Sequence, residues 1–372
     1  MKILQIGKFY PIIGGVEKVM FDLTCGLADH GVECDMLCAN NDTTEKKLII
    51  KEITKQNRII ICPTKIKMFA TMLSPAMIKE LKRRCNAYDI IHVHHPDPMA
   101  ALALYMSGYK GKVVLHWHSD ILKQAQLLKL YRPLQNWLIK RACRIVGTTP
   151  VYIKESPDLA SVQEKCTYLP IGIDDVPYNK DAADKLRNQY AGKKIIFSLG
   201  RLVGYKGYEY LIDAAKNLGD DYIVLIGGAG PLKEKLQAQI EASNLSDKVK
   251  LLGRVSDEDL PNYYYATDLY CLSSTMKTEA FAIVQVEAMS SGKPVVSTRI
   301  PGSGVPWVNA HEESGLTVEI CNAKALSDAF KTILEDDALY QKLAHGARKR
   351  FETLFRKEVM ITKCLEIYKR LV

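Results

Sequence analysis

The chain has 372 residues, 47% of them hydrophobic and 25% charged, the balance of a water-soluble globular protein of about two domains. No apolar run approaches the ~20 residues that span a bilayer, which excludes a helical integral membrane protein. The net charge of +9 lies wholly in residues 1–170, where 24 Lys and Arg stand against 15 Asp and Glu, while residues 171–372 hold 27 of each. Nucleic acid is one reason for a basic half, but no aromatic interleaving or binding motif accompanies it. An anionic membrane surface, at ~1 kcal/mol per basic residue, and a solvated basic face are the others. The 10 cysteines include no Cys-x-x-Cys, and several, such as Cys34 and Cys38, lie in apolar runs. That pattern points to buried free thiols in a reducing compartment. The N-terminus reads as a first strand and not a signal peptide, so the expected location is cytoplasmic.

In chain order, Lys2–Gly7 reads as a strand, a loop holds Gly14 and Gly15, and Val16–His30 reads as a helix stopped at Gly31. Val32–Cys38, Asp89–His94 and Lys112–Trp117 follow as strands. In the second half the strands are Lys194–Leu199, Tyr222–Ile226, Val249–Leu252, Leu269–Leu272 and Pro294–Thr298. Charged helical stretches separate them, so parallel sheets covered by helices are expected, with ligands beyond the carboxyl ends of the strands. The Pro- and Gly-containing stretch Tyr168–Asp175 is the best domain boundary. The predicted division is residues 1–170, 171–355, and an amphipathic segment 356–372 that packs back on the first domain.

Three motifs carry chemistry. Gly200 and Arg201, then Gly204, Lys206 and Gly207, follow the first strand of the second half. A guanidinium fork and a mobile ammonium converging on one anion suit a diphosphate. Gly228 and Gly230 come after Tyr222–Ile226 and allow close backbone approach, with Pro231 at the first turn of a helix. Glu279 and Glu287 bracket seven residues and lead to Gly292 and a strand. Read as a loop and helix, the segment puts Glu279 at the helix entrance and Glu287 about two turns in, about 80° apart at ~3.6 residues per turn. Such a pair can hold two hydroxyl-rich parts of one extended ligand. Taken singly, each motif is also what surface cations, turn chemistry or a solvated helix face would give.

The order Gly14-Gly15-Val-Glu17, His116-Trp-His118, Gly200-Arg201 with Lys206, Gly228-Ala-Gly230, Gly253-Arg-Val255 and Glu279-x7-Glu287 resembles family 4 of the retaining glycosyltransferases over nearly the whole chain. The resemblance implies the GT-B fold, two doubly wound Rossmann-like α/β domains facing across a cleft. It also implies a nucleotide-activated sugar as donor and no catalytic metal. Carried over, Arg201 and Lys206 neutralise the leaving pyrophosphate, Glu279 holds sugar hydroxyls and Glu287 the ribose. The amides of Ala280, Phe281 and Ala282, at a helix N-terminus, support phosphate and sugar. The main chain near Val255 reads the base, Gly14 and Gly15 let the first loop approach phosphate and acceptor, and His118 lies near the transferring sugar. Two departures stand out. Ala280 and Ala282 occupy positions usually held by glycine. The segment Pro301-Gly-Ser-Gly-Val-Pro-Trp-Val replaces the usual Gly-Gly and acid, as in some bacterial surface-polysaccharide enzymes, mannosyl- and rhamnosyltransferases among them.

The expected function is therefore transfer of a hexose, with mannose one candidate, from a GDP- or UDP-linked donor. The acceptor is a glycan or lipid-linked oligosaccharide of O-antigen or capsule synthesis. Bond cleavage puts negative charge on the β-phosphate, which prepositioned cations and amides stabilise. A same-face displacement is the usual proposal, which makes Glu279 an orienting group. Two rivals remain. His92, His94, His116 and His118 alternate along two strands and share a face, with Asp97 and Asp120 near in sequence, as in a metal-dependent hydrolase. A non-catalytic sugar-nucleotide sensor is the other, against which Arg201, Lys206, Glu279 and Glu287 speak. On the acceptor side, Lys65–Cys85 and Ile121–Arg144 (with Leu127, Leu128, Leu130, Leu134, Trp137 and Leu138) mix apolar and basic residues. They read as helices with core-facing stripes or as interfacial helices at an anionic membrane.

Overall fold

The computed structural model describes residues 1–68, 71–121 and 125–372, the side chains of residues 125–128 excepted. The strands are β1 (Lys2–Tyr10), β2 (Glu33–Asn40), β3 (Ile49–Thr54), β4 (Asn57–Cys62), β5 (Ile66–Met68), β6 (Thr71–Leu73), β7 (Ile90–His95), β8 (Lys112–Trp117), β9 (Arg144–Gly147), β10 (Cys166–Tyr168), β11 (Lys194–Leu199), β12 (Tyr222–Gly227), β13 (Val249–Gly253), β14 (Leu269–Leu272), β15 (Val295–Thr298) and β16 (Gly315–Val318). The chain divides into two compact units, one of Met1–Gly172 with Lys357–Val372, the other of Ile173–Arg356.

The first unit is built on an eight-stranded sheet in the order β10-β9-β8-β7-β1-β2-β4-β3. It is parallel except for β3, which pairs antiparallel with β4 at the edge. β1 is buried from Ile3 to Ile6, with β2 parallel on one side and β7 on the other. The C-terminal helix Lys357–Lys369 belongs to this unit. It buries Met360, Ile361, Cys364 and Tyr368, and Ile361 occupies the space a Cβ on Gly26 would need, 2.0 Å away. Gly26 therefore sits at the contact of this helix with helix Gly15–Asp29 because nothing larger fits.

The second unit carries a parallel six-stranded sheet, β13-β12-β11-β14-β15-β16. Its strands read as continuous apolar runs because helices cover both faces. Ile196, Val224, Ile226, Leu269, Cys271 and Val296 pack with Leu211, Ile212, Phe330 and Ile333 in one core cluster. At ~25 cal/mol per Å² of apolar area, this burial holds the strand ends in place. The strand order reverses between β11 and β14, and in the first unit between β1 and β7. Loops leaving the carboxyl ends on either side of such a point diverge and leave a crevice.

Strands predicted at Lys112–Trp117, Lys194–Leu199 and Leu269–Leu272 coincide with the observed ones, and β1 runs past Gly7 to Tyr10. The strands not anticipated are β3 to β6, β9, β10 and β16. β3 is almost wholly exposed and lacks an apolar alternation, while β9, β10 and β16 span only three or four residues. The cysteines are free, six of them buried, and Cys321 is exposed.

Candidate functional site

In the second unit the loops after β11 and β14 meet at the strand-order reversal. Beyond β11, Gly204–Lys206 forms a short 3-10 turn that ends at Gly207, whose φ of +64° is left-handed. A Cβ at Gly207 would lie 2.2 Å from the Ser273 carbonyl oxygen, so this position is glycine for both reasons. The turn aims Lys206 inward. Its ammonium donates to Glu279 Oε2 at 2.5 Å, and both residues are over 90% buried. Ser274 Oγ donates to the same oxygen at 2.9 Å. Lys206 Nζ also lies 3.1 Å from where a Cβ on Gly200 would stand, so a side chain there would displace it. Arg201 is exposed and donates to Tyr205 Oη at 3.4 Å, and Lys206 Nζ stands 5.6 Å from the Tyr205 ring centre. The two cations thus flank one tyrosine, Lys206 with its carboxylate and Arg201 facing solvent.

Glu279 does not lie on a helix. The helix after it is Ile283–Ser290, so the 80° relation to Glu287 does not hold, and Glu287 falls only one turn in. The cause is Ala282, which caps the helix at φ +61° and ψ +78° and breaks the run that reads as helical. A left-handed Ala costs about 1–2 kcal/mol relative to its preferred regions, which explains why glycine is usual there. Glu279 is fixed instead by its own partners and by Ser303, whose hydroxyl donates to the Glu279 carbonyl. The N–H groups of Ala280, Phe281 and Ala282 meet no acceptor among the described residues. They stand before the first turn of the helix, where backbone donors favour an anion. Phe281 is buried, its ring edge-on to Phe355 at 5.8 Å. Glu287 accepts from the Tyr264 hydroxyl at 2.6 Å. Burial pushes its carboxyl above the usual range, against the hydrogen bond that holds it down.

Gly228 follows β12 at φ +138°, and a Cβ on it would lie 1.9 Å from the Gly200 carbonyl oxygen. One on Gly230 would meet the Leu202 oxygen at 2.4 Å. Backbone bonds Leu202 N–H to Ala229 O and Leu232 N–H to Leu202 O stitch the two loops. These glycines are required by loop-on-loop packing. The helix here starts at Lys233, so Pro231 lies in the turn before it and not at its first position. Val255 follows β13, with its Cγ2 3.0 Å from the Cβ position of Gly227.

In the first unit Gly14 is the N-cap of helix Gly15–Asp29. Glu17 folds back so that its Oε2 lies 2.2 Å from where a Cβ on Gly14 would stand. His92 and His94 on β7 and His116 on β8 share a face, with His94 paired to His116 in register. His118 follows directly, and all four are buried. Nitrogens of His92, His94 and His116 lie within 4.8 Å of one another. The rings stack, His116 on His118 at 3.9 Å and His92 on His94 at 4.8 Å. A metal lies in the plane of each imidazole that binds it, so stacked rings offer parallel and not convergent lone pairs. Asp97 and Asp120 are committed elsewhere. Asp97 Oδ1 caps helix Pro98–Ser107 through Met99 and Ala100, and Asp120 Oδ1 accepts from Trp117 Nε1 and Ser156 Oγ. His95 lies on the opposite face, stacked on Trp117 at 3.8 Å. Burial holds His92, His94 and His118 well below the usual imidazole value and brings His95 and His116 down to about 3.

On the acceptor side Leu138 is buried, Leu134 and Trp137 are partly buried, and Leu130 is 82% exposed; Phe69 lies outside the described residues, as do the side chains of Leu127 and Leu128. Leu102, Tyr105 and Met106 share one exposed face of helix Pro98–Ser107, and Trp137 packs edge-on to Tyr105 at 5.0 Å. Exposed Ile66 and Met68 stand on β5 among Lys65 and Lys67. No helix among the described residues is long and apolar enough to cross a membrane.

Sequence reasoning missed Ser274, Ser303, Tyr264, Gln5 and Tyr368, which bond the residues above. Each is an ordinary residue whose partner is distant in sequence or set by a loop, and no local pattern marks it.

Residues 13–176 match the family described as Glycosyltransferase Family 4, and residues 179–350 the one described as Glycosyl transferases group 1. The chain is 30% identical over 360 residues to the D-rhamnosyltransferase WbpZ of Pseudomonas aeruginosa, covering 95% of this chain and 92% of that one. It is 27% identical over 376 residues to the O-antigen chain mannosyltransferase C of Escherichia coli, covering 100% and 99%. Among solved structures, Anabaena HepE in complex with UDP superposes with a TM-score of 0.77 at 22% identity, over the whole of both chains. That likeness shows the fold, GT-B.

Proposed function

Because this chain belongs to the family-4 glycosyltransferases, we propose that it moves a hexose from a nucleotide-diphosphate sugar to a glycan or lipid-linked acceptor, with retention at the anomeric carbon. The observation that carries the reading is the buried Lys206–Glu279 pair at the β11/β14 reversal, beside helix-entry amides that meet no acceptor among the described residues. Lys206 and Arg201 stabilise the charge that develops on the departing diphosphate, and the amides of Ala280, Phe281 and Ala282 add fixed dipoles to the same end. Glu279 holds sugar hydroxyls and orients the ring; Glu287, steadied by Tyr264, holds the ribose. His118 stands near the transferring sugar, and the departing phosphate takes the acceptor proton in a same-face displacement that needs no metal.

The similarity to a D-rhamnosyltransferase and to an O-antigen chain mannosyltransferase supports a role in cell-surface polysaccharide synthesis, with mannose one candidate sugar. A GDP-linked donor is preferred and a UDP-linked one is second. The basic first half, the exposed apolar face of Leu102, Tyr105 and Met106, and exposed Leu130 on helix Ala125–Arg141 support peripheral contact at the inner face of an anionic membrane. A thermal-shift screen of nucleotide sugars tests the donor, since stabilisation follows affinity and concentration. One sugar nucleotide should stand out, and NMR of its transfer product should show the donor's anomeric configuration. Stabilisation by none of them, or an inverted product, overturns the reading.

A further inference from the structure

A continuous chain of buried hydrogen bonds runs from the C-terminal helix to His118. Gln5 Nε2 donates to Tyr368 Oη at 3.0 Å and to Cys34 Sγ at 3.8 Å, which uses both of its amide hydrogens. Gln5 Oε1 lies 2.8 Å from His94 Nε2. A carboxamide oxygen only accepts, so His94 carries its proton on Nε2. Burial keeps His94 neutral, which leaves its Nδ1 a bare lone pair. That Nδ1 lies 2.9 Å from His118 Nε2, so His118 is the donor and holds its own proton on Nε2. Its Nδ1 is then a lone pair, buried and without a partner among the described residues. At the other end the Tyr368 hydroxyl accepts from Gln5 and is hydrogen-bonded to His92 Nδ1. All six residues are fully or almost fully buried.

We propose that Tyr368, Gln5 and His94 are positioning residues that lock His118 as the Nε2–H tautomer, so that its Nδ1 lone pair accepts a hydrogen bond from a sugar hydroxyl. The proposal rests on the reading of His118 given above. Which imidazole nitrogen is free for substrate is set by the bond the other one makes. Here that setting is carried across three adjacent strands, β1, β7 and β8, from a helix encoded at the far end of the chain. An inert packing role for these residues would not need the bonds from His118 to His94 and from His94 to Gln5 to run in one direction, and buried polar groups left unmatched are costly. The network also gives Tyr368 a reason to be tyrosine and not phenylalanine at a fully buried position.

The test uses the full-length protein with three variants: Tyr368→Phe and Gln5→Met, which keep the packing volume, and His118→Ala. Long-range 15N–1H correlation of the imidazoles reports the His118 tautomer, and donor kinetics report kcat and KM. The expected result is Nε2–H in the wild type and a shift toward Nδ1–H in Tyr368→Phe and Gln5→Met. Their kcat falls about tenfold, with donor KM changed less than about twofold because the donor contacts in the second unit are untouched. Unchanged tautomer and kcat in both variants, with only a lower Tm, overturn the proposal while an inactive His118→Ala leaves the reading of His118 standing. Wild-type transfer by His118→Ala overturns the reading of His118, and the tautomer spectra then decide the network by themselves.

Discussion

Lowering the pH from 7 to 5 should destabilise the first unit by as much as about 10 kcal/mol, through the five histidines it buries. His92, His94, His95, His116 and His118 are all neutral in the fold, their imidazoles held far below the usual value by burial. In the unfolded chain each titrates near 6.5. Below that value the unfolded state binds protons that the folded state refuses, so stability is full above about pH 6.5 and is lost as pH falls. Between pH 7 and 5 each histidine contributes about 2 kcal/mol by this linkage, and five give at most about 10, set against a typical domain stability of about 5–15 kcal/mol. Asp97, whose carboxyl is pushed up by burial, works in the opposite sense. Urea titrations at pH 7, 6 and 5, followed by fluorescence of a variant in which Trp137 and Trp307 are replaced by Phe so that Trp117, which stacks on His95, is the reporter, should show a midpoint that collapses with pH. His95→Phe should flatten the dependence by about one fifth. A midpoint unchanged from pH 7 to 5.5 would refute the assignment of buried neutral rings.

Three further outcomes follow from single positions. Ala282→Gly relieves the left-handed φ of +61° and should stabilise the second unit by ~1 kcal/mol after the entropy of the added glycine is subtracted; calorimetry should show Tm raised by about 2–4 °C, and a fall would contradict the strain. Gly228→Ala forces a Cβ to within 1.9 Å of the Gly200 oxygen and should cost at least about 1–3 kcal/mol, read as a lower Tm. Leu130→Glu combined with Tyr105→Glu should sharply reduce co-sedimentation with anionic vesicles at low salt, and an undiminished bound fraction would remove these exposed residues from the membrane reading.

The alternation of apolar strands and charged helices was enough to read two parallel sheets, because helix-covered strands are apolar throughout and flanked by loops rich in glycine. The charged residues of the proposed donor site stood out as well: Arg201, Lys206 and Glu279 lie outside the α-helices and Glu287 one turn into helix Ile283–Ser290. What the sequence misstates is local geometry. Ala280-Phe-Ala-Ile-Val is a plausible helix on propensity alone, and the left-handed φ of +61° at Ala282 that interrupts it is not a conformation that an alanine announces. Gly228 and Gly230 look like a nucleotide loop but answer first to the Gly200–Leu202 backbone beside them. Gln5 and Tyr368 lie 363 residues apart, so their bond appears only when the last helix folds onto the first strand.

The central claim is that the buried Lys206–Glu279 pair belongs to the donor site. Sugar transfer by Lys206→Ala and Glu279→Ala, each checked for an intact fold by circular dichroism, tests it most directly. Losing one partner of such a pair typically costs ~2–5 kcal/mol, so turnover should fall at least about 30-fold in both. Wild-type turnover in either folded variant would contradict it.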